Sequence, residues 1–123
     1  MLRDLFTIES VTAENRCAFL AKASVDANHP VFHGHFPGIP VLPGVCSLYL
    51  IRTCTEHFLG CNMRYNTVDS CKFTAMIDPL RNEKISVQVN IKQGEEGIQI
   101  RALMLYGNRT VLKLHATMKE ITL

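Results

Sequence analysis

Four of the five prolines of this chain fall between Pro30 and Pro43, and three of its seven glycines between Gly34 and Gly44. Proline fixes φ and removes a donor, and glycine permits φ > 0. The run His29-Pro30-Val31-Phe32-His33-Gly34-His35-Phe36-Pro37-Gly38-Ile39-Pro40-Val41-Leu42-Pro43-Gly44-Val45 therefore cannot be regular helix or ladder strand. It reads as a stiff loop with two imidazoles, His33 and His35, at its middle. The loop ends by opening a helix, because Pro43 suits a first helical turn where its missing N–H costs nothing. The N–H groups of Gly44 and Val45 then point, unpaired, out of the helix start, toward any developing negative charge. A histidine held near such an entrance is placed as a general base facing an oxyanion site.

The elements on either side follow from periodicity. Leu5 to Val11 reads as a first strand with imperfect alternation, and Asn15 to Val25 as a second, with Cys17, Phe19, Ala21, Ala23 and Val25 on one face. Pro43 to about Leu59 predicts one helix, about 25 Å long at 1.5 Å per residue, with Gly60 as its C-cap. Cys46, Leu48, Leu50, Ile51, Cys54 and Phe58 form a broad apolar surface on that helix. Val45, Tyr49, Arg52, Thr53 and Glu56 share the remaining stripe, so the helix is expected to be covered nearly all round. Four more strands follow: Tyr65 to Met76, Lys84 to Lys92, Ile98 to Tyr106, and Arg109 to Lys119 after a Gly107-Asn108 hairpin turn. One long helix with about six strands, several in hairpin order, argues an α+β domain over residues 1–123, with an antiparallel sheet curled around the helix.

Composition excludes several classes of function. The net charge of +2 is too small to argue for nucleic acid or an anionic membrane surface. No apolar run is long enough to span a bilayer, and charge interrupts Met1-Leu2-Arg3-Asp4-Leu5 too early for a signal peptide. The five cysteines (Cys17, Cys46, Cys54, Cys61, Cys71) contain no Cys-x-x-Cys pair. They read as buried reduced thiols in a cytoplasmic protein. His33 and His35 lack carboxylate or cysteine companions at ligand spacing, so no metal site is expected.

The run His35 to Val45, His-Phe-Pro-Gly-x-Pro-x-x-Pro-Gly-Val, resembles the active-site signature of the 3-hydroxyacyl-(acyl carrier protein) dehydratases of the hot-dog fold. The resemblance implies a hot-dog domain assembled as a homodimer or higher homo-oligomer. It also implies a 3-hydroxyacyl thioester delivered by acyl carrier protein, and no cofactor. By the same resemblance His35 is the base and Gly44 the oxyanion donor, with Phe36, Gly38, Val41, Leu42 and Val45 around the acyl chain. Where the family carries Glu or Asp, one turn into the helix, this chain has Tyr49. A tyrosine hydroxyl can donate a hydrogen bond, but its ordinary pKa near 10 makes it a weak acid. Glu56 shares the stripe, yet it lies about 10 Å further along the axis, with Arg52 spaced to pair with it. The substitution keeps a second expectation open, a non-catalytic subunit that binds acyl thioester or carrier protein. Thioester hydrolysis, which other hot-dog proteins perform, is the third.

Overall fold

The computed structural model describes residues 2–33 and 40–122. His35, Phe36 and Gly38 thus lie outside the described residues. Six strands form one antiparallel sheet: β1 (Phe6–Asn15), β2 (Ala18–Val25), β3 (Met63–Phe73), β4 (Ile85–Gln93), β5 (Ile98–Tyr106) and β6 (Arg109–Glu120). Their spatial order is β1-β2-β4-β5-β6-β3, and α1 (Gly44–Leu59) packs on the inner face. The α+β architecture is the one the sequence predicts.

Alternation decides which face is inner. On β5, Ile98, Ile100, Ala102, Met104 and Tyr106 are buried; on β6, Leu112, Leu114, Ala116 and Met118 are. From the helix, Cys46, Leu50, Ile51 and Cys54 reach into this layer with at most 1% exposure. Each large apolar side chain buried this way contributes about 1.5–3 kcal/mol relative to exposure.

Several boundaries differ from the periodicity. β1 runs on to Asn15, because bulges between Ile8 and Ser10 and between Ala13 and Asn15 absorb its irregular alternation. Asn15 closes that strand instead of opening the next. Its side-chain oxygen accepts the Cys17 N–H at 2.7 Å, leaving Arg16 and Cys17 as the hairpin loop. Cys17 is consequently exposed, contrary to expectation, whereas Cys46 and Cys54 are buried and Cys61 and Cys71 half-buried. β3 begins at Met63 and ends at Phe73; the Thr74 N–H still reaches the Val111 carbonyl at 2.9 Å, and Ala75 and Met76 lie beyond the strand. Pro43 is the N-cap of α1 with ψ 143°, and the first helical residue is Gly44. Gly60 caps the other end at φ +74°, as its position predicts.

The expected all-round covering of the helix is corrected. The buried stripe is Cys46, Ser47, Leu50, Ile51, Cys54 and Thr55. On the opposite side, Val45 is 67% exposed and Tyr49, Arg52, Thr53 and Glu56 are half-buried. A single sheet can cover only one side of a helix.

The connection from β3 to β4 is tied to the core by Tyr106. This ring is 1% exposed; its hydroxyl donates to the Asp78 carbonyl at 2.8 Å and accepts the Glu83 N–H at 3.3 Å. Next to Asp78, the Ile77 carbonyl accepts the Leu42 N–H at 3.0 Å. The entrance of α1 is thereby fastened to the end of the sheet.

Candidate active site

The entrance of α1 has the donors its sequence predicts. Among the described residues the first helical N–H with a backbone acceptor outside the regular ladder is that of Cys46, which bonds the Pro43 carbonyl at 3.0 Å. The N–H groups of Gly44 and Val45 have no backbone acceptor there. They carry the positive end of a sixteen-residue helix.

Beside this entrance lies an apolar cavity of about 260 Å³. Val41, Leu42 and Gly44 line it, together with Ser47, Phe73, Met76, Ile77 and Val111. Three residues assigned from sequence are thus brought to one hollow. Val45 and Tyr49 are not: they project from the far side of the helix and line no part of it. The 100° spacing of helical residues sets Tyr49 about 140° from Gly44, which puts the two on different faces. Within one chain, the donors and the tyrosine do not converge on one point.

Tyr49 has neighbours of its own. The Arg52 guanidinium lies over its ring at 5.3 Å from the centroid, within cation–π range. Arg52 also pairs with Glu56 at 3.2 Å, as the i,i+4 spacing predicts, and Glu56 accepts the Met63 N–H at 2.8 Å. Glu56 is therefore spent on the arginine and on the start of β3. The Tyr65 hydroxyl, from β3, donates to the Leu48 carbonyl at 2.7 Å, and burial pushes its pKa well up despite the opposing effect of Arg52.

Ahead of the loop, sequence reasoning missed His29. It is 8% exposed and uses both ring nitrogens: Nδ1 accepts the Val31 N–H at 3.0 Å, and Nε2 faces the Arg3 carbonyl at 2.9 Å. That pairing makes Nε2 the protonated nitrogen, because a carbonyl can only accept. His29 caps the short 3₁₀ turn Pro30–Phe32. A capping residue directly before a proline was the local signal for it. His33 closes the same turn and is exposed. The cavity residues Phe73, Met76, Ile77 and Val111 had no local signal, since they come from two strand ends distant in sequence.

Elsewhere, an open hollow of about 600 Å³ lies at the β4–β5 turn, lined by residues such as Asn66, Gln93, Glu95 and Lys119. It is as apolar as it is polar, remote from the helix entrance, and among the described residues that line it there is neither an imidazole nor a thiol. Among the described residues, no three His, Cys, Asp or Glu side chains assemble as a metal-binding group. No helix among them is long and apolar enough to cross a membrane.

A six-stranded antiparallel sheet wrapped on one helix, whose Pro43-Gly44 entrance opens beside an apolar cavity, defines a hot-dog fold. The chain belongs to the ApeI-like family, described as ApeI dehydratase, which it matches over residues 10–110. It is 27% identical over 86 residues to the 3-hydroxyacyl-(acyl-carrier-protein) dehydratase FabZ of Jannaschia sp. (strain CCS1), covering 63% of this chain and 52% of that one. To the FabZ of Syntrophomonas wolfei it is 28% identical over 103 residues, covering 74% and 72%. The chain spans about half the length of the first curated relatives it matches. Two solved structures share the fold at low identity. The dehydratase heterocomplex ApeI:P from Xenorhabdus doucetiae superposes with a TM-score of 0.74 at 16% identity, over 92% of this chain and 96% of that one. A hypothetical thioesterase with coenzyme A from Streptococcus pneumoniae superposes with a TM-score of 0.67 at 12% identity, over 94% and 85%.

Proposed function

We propose that this protein removes water from a 3-hydroxyacyl thioester carried by acyl carrier protein. The observation that carries this reading is a pair of N–H groups, Gly44 and Val45, with no backbone acceptor among the described residues, opening beside an apolar cavity in a chain with the His35 to Val45 signature. In the reaction His35 takes a proton from the carbon beside the thioester carbonyl. The charge that moves onto the carbonyl oxygen is held by the Gly44 N–H, a donor already oriented before reaction. The electron pair then returns to form the carbon–carbon double bond as the C3–O bond breaks. The leaving hydroxyl takes its proton from Tyr49, which stands where the family has Glu or Asp. Val41 and Leu42 border the acyl chain, Phe36 and Gly38 are assigned to it by the resemblance alone, and Val45, on the same outer stripe as Tyr49, serves the cavity of a second copy. Supply from a second copy lets Tyr49 serve a cavity on a different face from its own, and the open stripe from Val45 to Glu56 is the surface such a copy would cover. The direct test is water loss from a 3-hydroxyacyl carrier-protein thioester, followed by mass spectrometry. His35→Ala abolishes turnover, and Tyr49→Phe lowers it by about 10²-fold if the phenol is the donor. No turnover by the pure homo-oligomer removes this reading.

Two observations favour a second reading. Tyr49 is not a carboxylate, and the ApeI:P dehydratase from Xenorhabdus doucetiae is a heterocomplex. On that reading this chain binds the thioester or its carrier, and a companion subunit brings the acid. Turnover that appears only when a carboxylate-bearing homologue is co-expressed selects it.

A further inference from the structure

The cavity beside α1 has a floor and a mouth of different character. Leu42, Ile77 and Val111 are buried to 6% exposure or less and form the floor. At the mouth stand two large apolar side chains open to solvent, Phe73 at 53% and Met76 at 69%. Phe73 is unusual for its register. It pairs with Leu112, which is 1% exposed, so its side chain starts toward the interior. It remains half-exposed because it is the last residue of β3 and its ring reaches across to the helix. A Cβ built on Gly44 would meet the Phe73 Cζ at 2.6 Å and Cε1 at 3.0 Å, so the end of the ring rests directly on the first helical residue.

We propose that the Phe73 ring is a movable gate across this cavity, and that its bulk sets the longest acyl chain the protein accepts. The inference rests on the acyl-binding reading above, and adds a residue and a length limit to it. The ring bridges the sheet end and the helix entrance, so a chain whose carbonyl sits at the Gly44 N–H must pass it. The ring can swing because its outer half faces solvent. Glycine at position 44 is what allows it to close: any side chain there would prop it open.

The test uses binding, without turnover. Unreactive straight-chain acyl thioesters of N-acetylcysteamine, from four to fourteen carbons, are titrated into the intact protein by calorimetry. Affinity in the natural chain rises about fourfold per added methylene, the equivalent of about 0.8 kcal/mol each, and then levels off at the cavity's limit. Phe73→Ala moves that plateau to longer chains, and Phe73→Leu, which keeps an apolar side chain on the surface, moves it part of the way. Gly44→Ala weakens binding of mid-length chains in the natural background and has little effect with Phe73→Ala, since the contact is with the ring. An unchanged plateau in both Phe73 variants, or an equal Gly44→Ala effect in both backgrounds, removes the gate and leaves the acyl site standing. Absence of binding at every length takes down the site and the gate together.

Discussion

Removing one hydroxyl from Tyr106 tests how the cavity is held in place. Tyr106→Phe keeps the ring, which is 1% exposed and packed in the core, and deletes only the atom joining β5 to the β3–β4 connection. Two backbone groups lose their partner: the Asp78 carbonyl, bonded at 2.8 Å, and the Glu83 N–H, bonded at 3.3 Å. Stranding a buried backbone group costs about 1–3 kcal/mol. Both groups here belong to half-buried residues that water can reach in part, and the longer bond is the weaker one. The expected loss is therefore about 1.5–2 kcal/mol in all. Tyr65→Phe is the matched control. Its hydroxyl also donates one short bond, to the Leu48 carbonyl at 2.7 Å, but that carbonyl sits inside α1 and keeps its helical partner. Its loss should cost only about 0.5–1 kcal/mol. Urea unfolding of the two variants measures the difference directly, and an equal m-value confirms that the folded state is compared with the same unfolded one. Tyr106→Phe should also weaken acyl-thioester binding, because Asp78 is next to Ile77, which accepts the Leu42 N–H. A cost below about 0.5 kcal/mol, or one no larger than that of Tyr65→Phe, would refute the claim that the tyrosine ties the helix entrance to the sheet.

Three further outcomes are expected. His29→Ala loses both the Val31 and Arg3 bonds and should cost about 1–3 kcal/mol; a variant of unchanged unfolding midpoint contradicts the capping role. Burial pushes the Cys54 thiol from its ordinary 9.0 up to about 12, so the folded chain holds a proton that the unfolded one releases in alkali. The stability this contributes is intact below about pH 9 and falls as pH rises toward 12, an effect Cys54→Ala should reduce in unfolding curves at pH 7.5 and 10. Glu56→Gln should lower stability by about 1 kcal/mol through the Arg52 and Met63 contacts, yet leave turnover within about threefold; loss of activity on the scale of a missing general acid would return Glu56 to the acid role.

Local sequence carried the architecture a long way. Clean alternation from Ile85 to Ile91 and from Ile98 to Tyr106 places inward residues correctly, because a period of two depends only on the chain itself. The same holds for Gly60, whose positive φ ends the helix where its position predicts. Boundaries failed where the deciding contact was distant or where a polar side chain caught a nearby N–H. Asn15 turns the chain through its bond to Cys17, and β3 ends at Phe73, beyond which one Thr74 N–H to Val111 bond is the last backbone link to β6 among the described residues.

For the candidate site the division is sharper. Residue order alone determined the concentration of proline and glycine ahead of α1, a helix start at Pro43-Gly44, and a tyrosine one turn in. These depend on φ, on missing hydrogens and on 3.6-residue periodicity, all local properties. Tertiary structure alone decided that Val41 and Leu42 share a cavity with Phe73, Ile77 and Val111. It also decided that Tyr49 faces away from that cavity, under Arg52. Such neighbours are set by how the sheet closes over one side of the helix, and no short stretch of chain encodes which side that is.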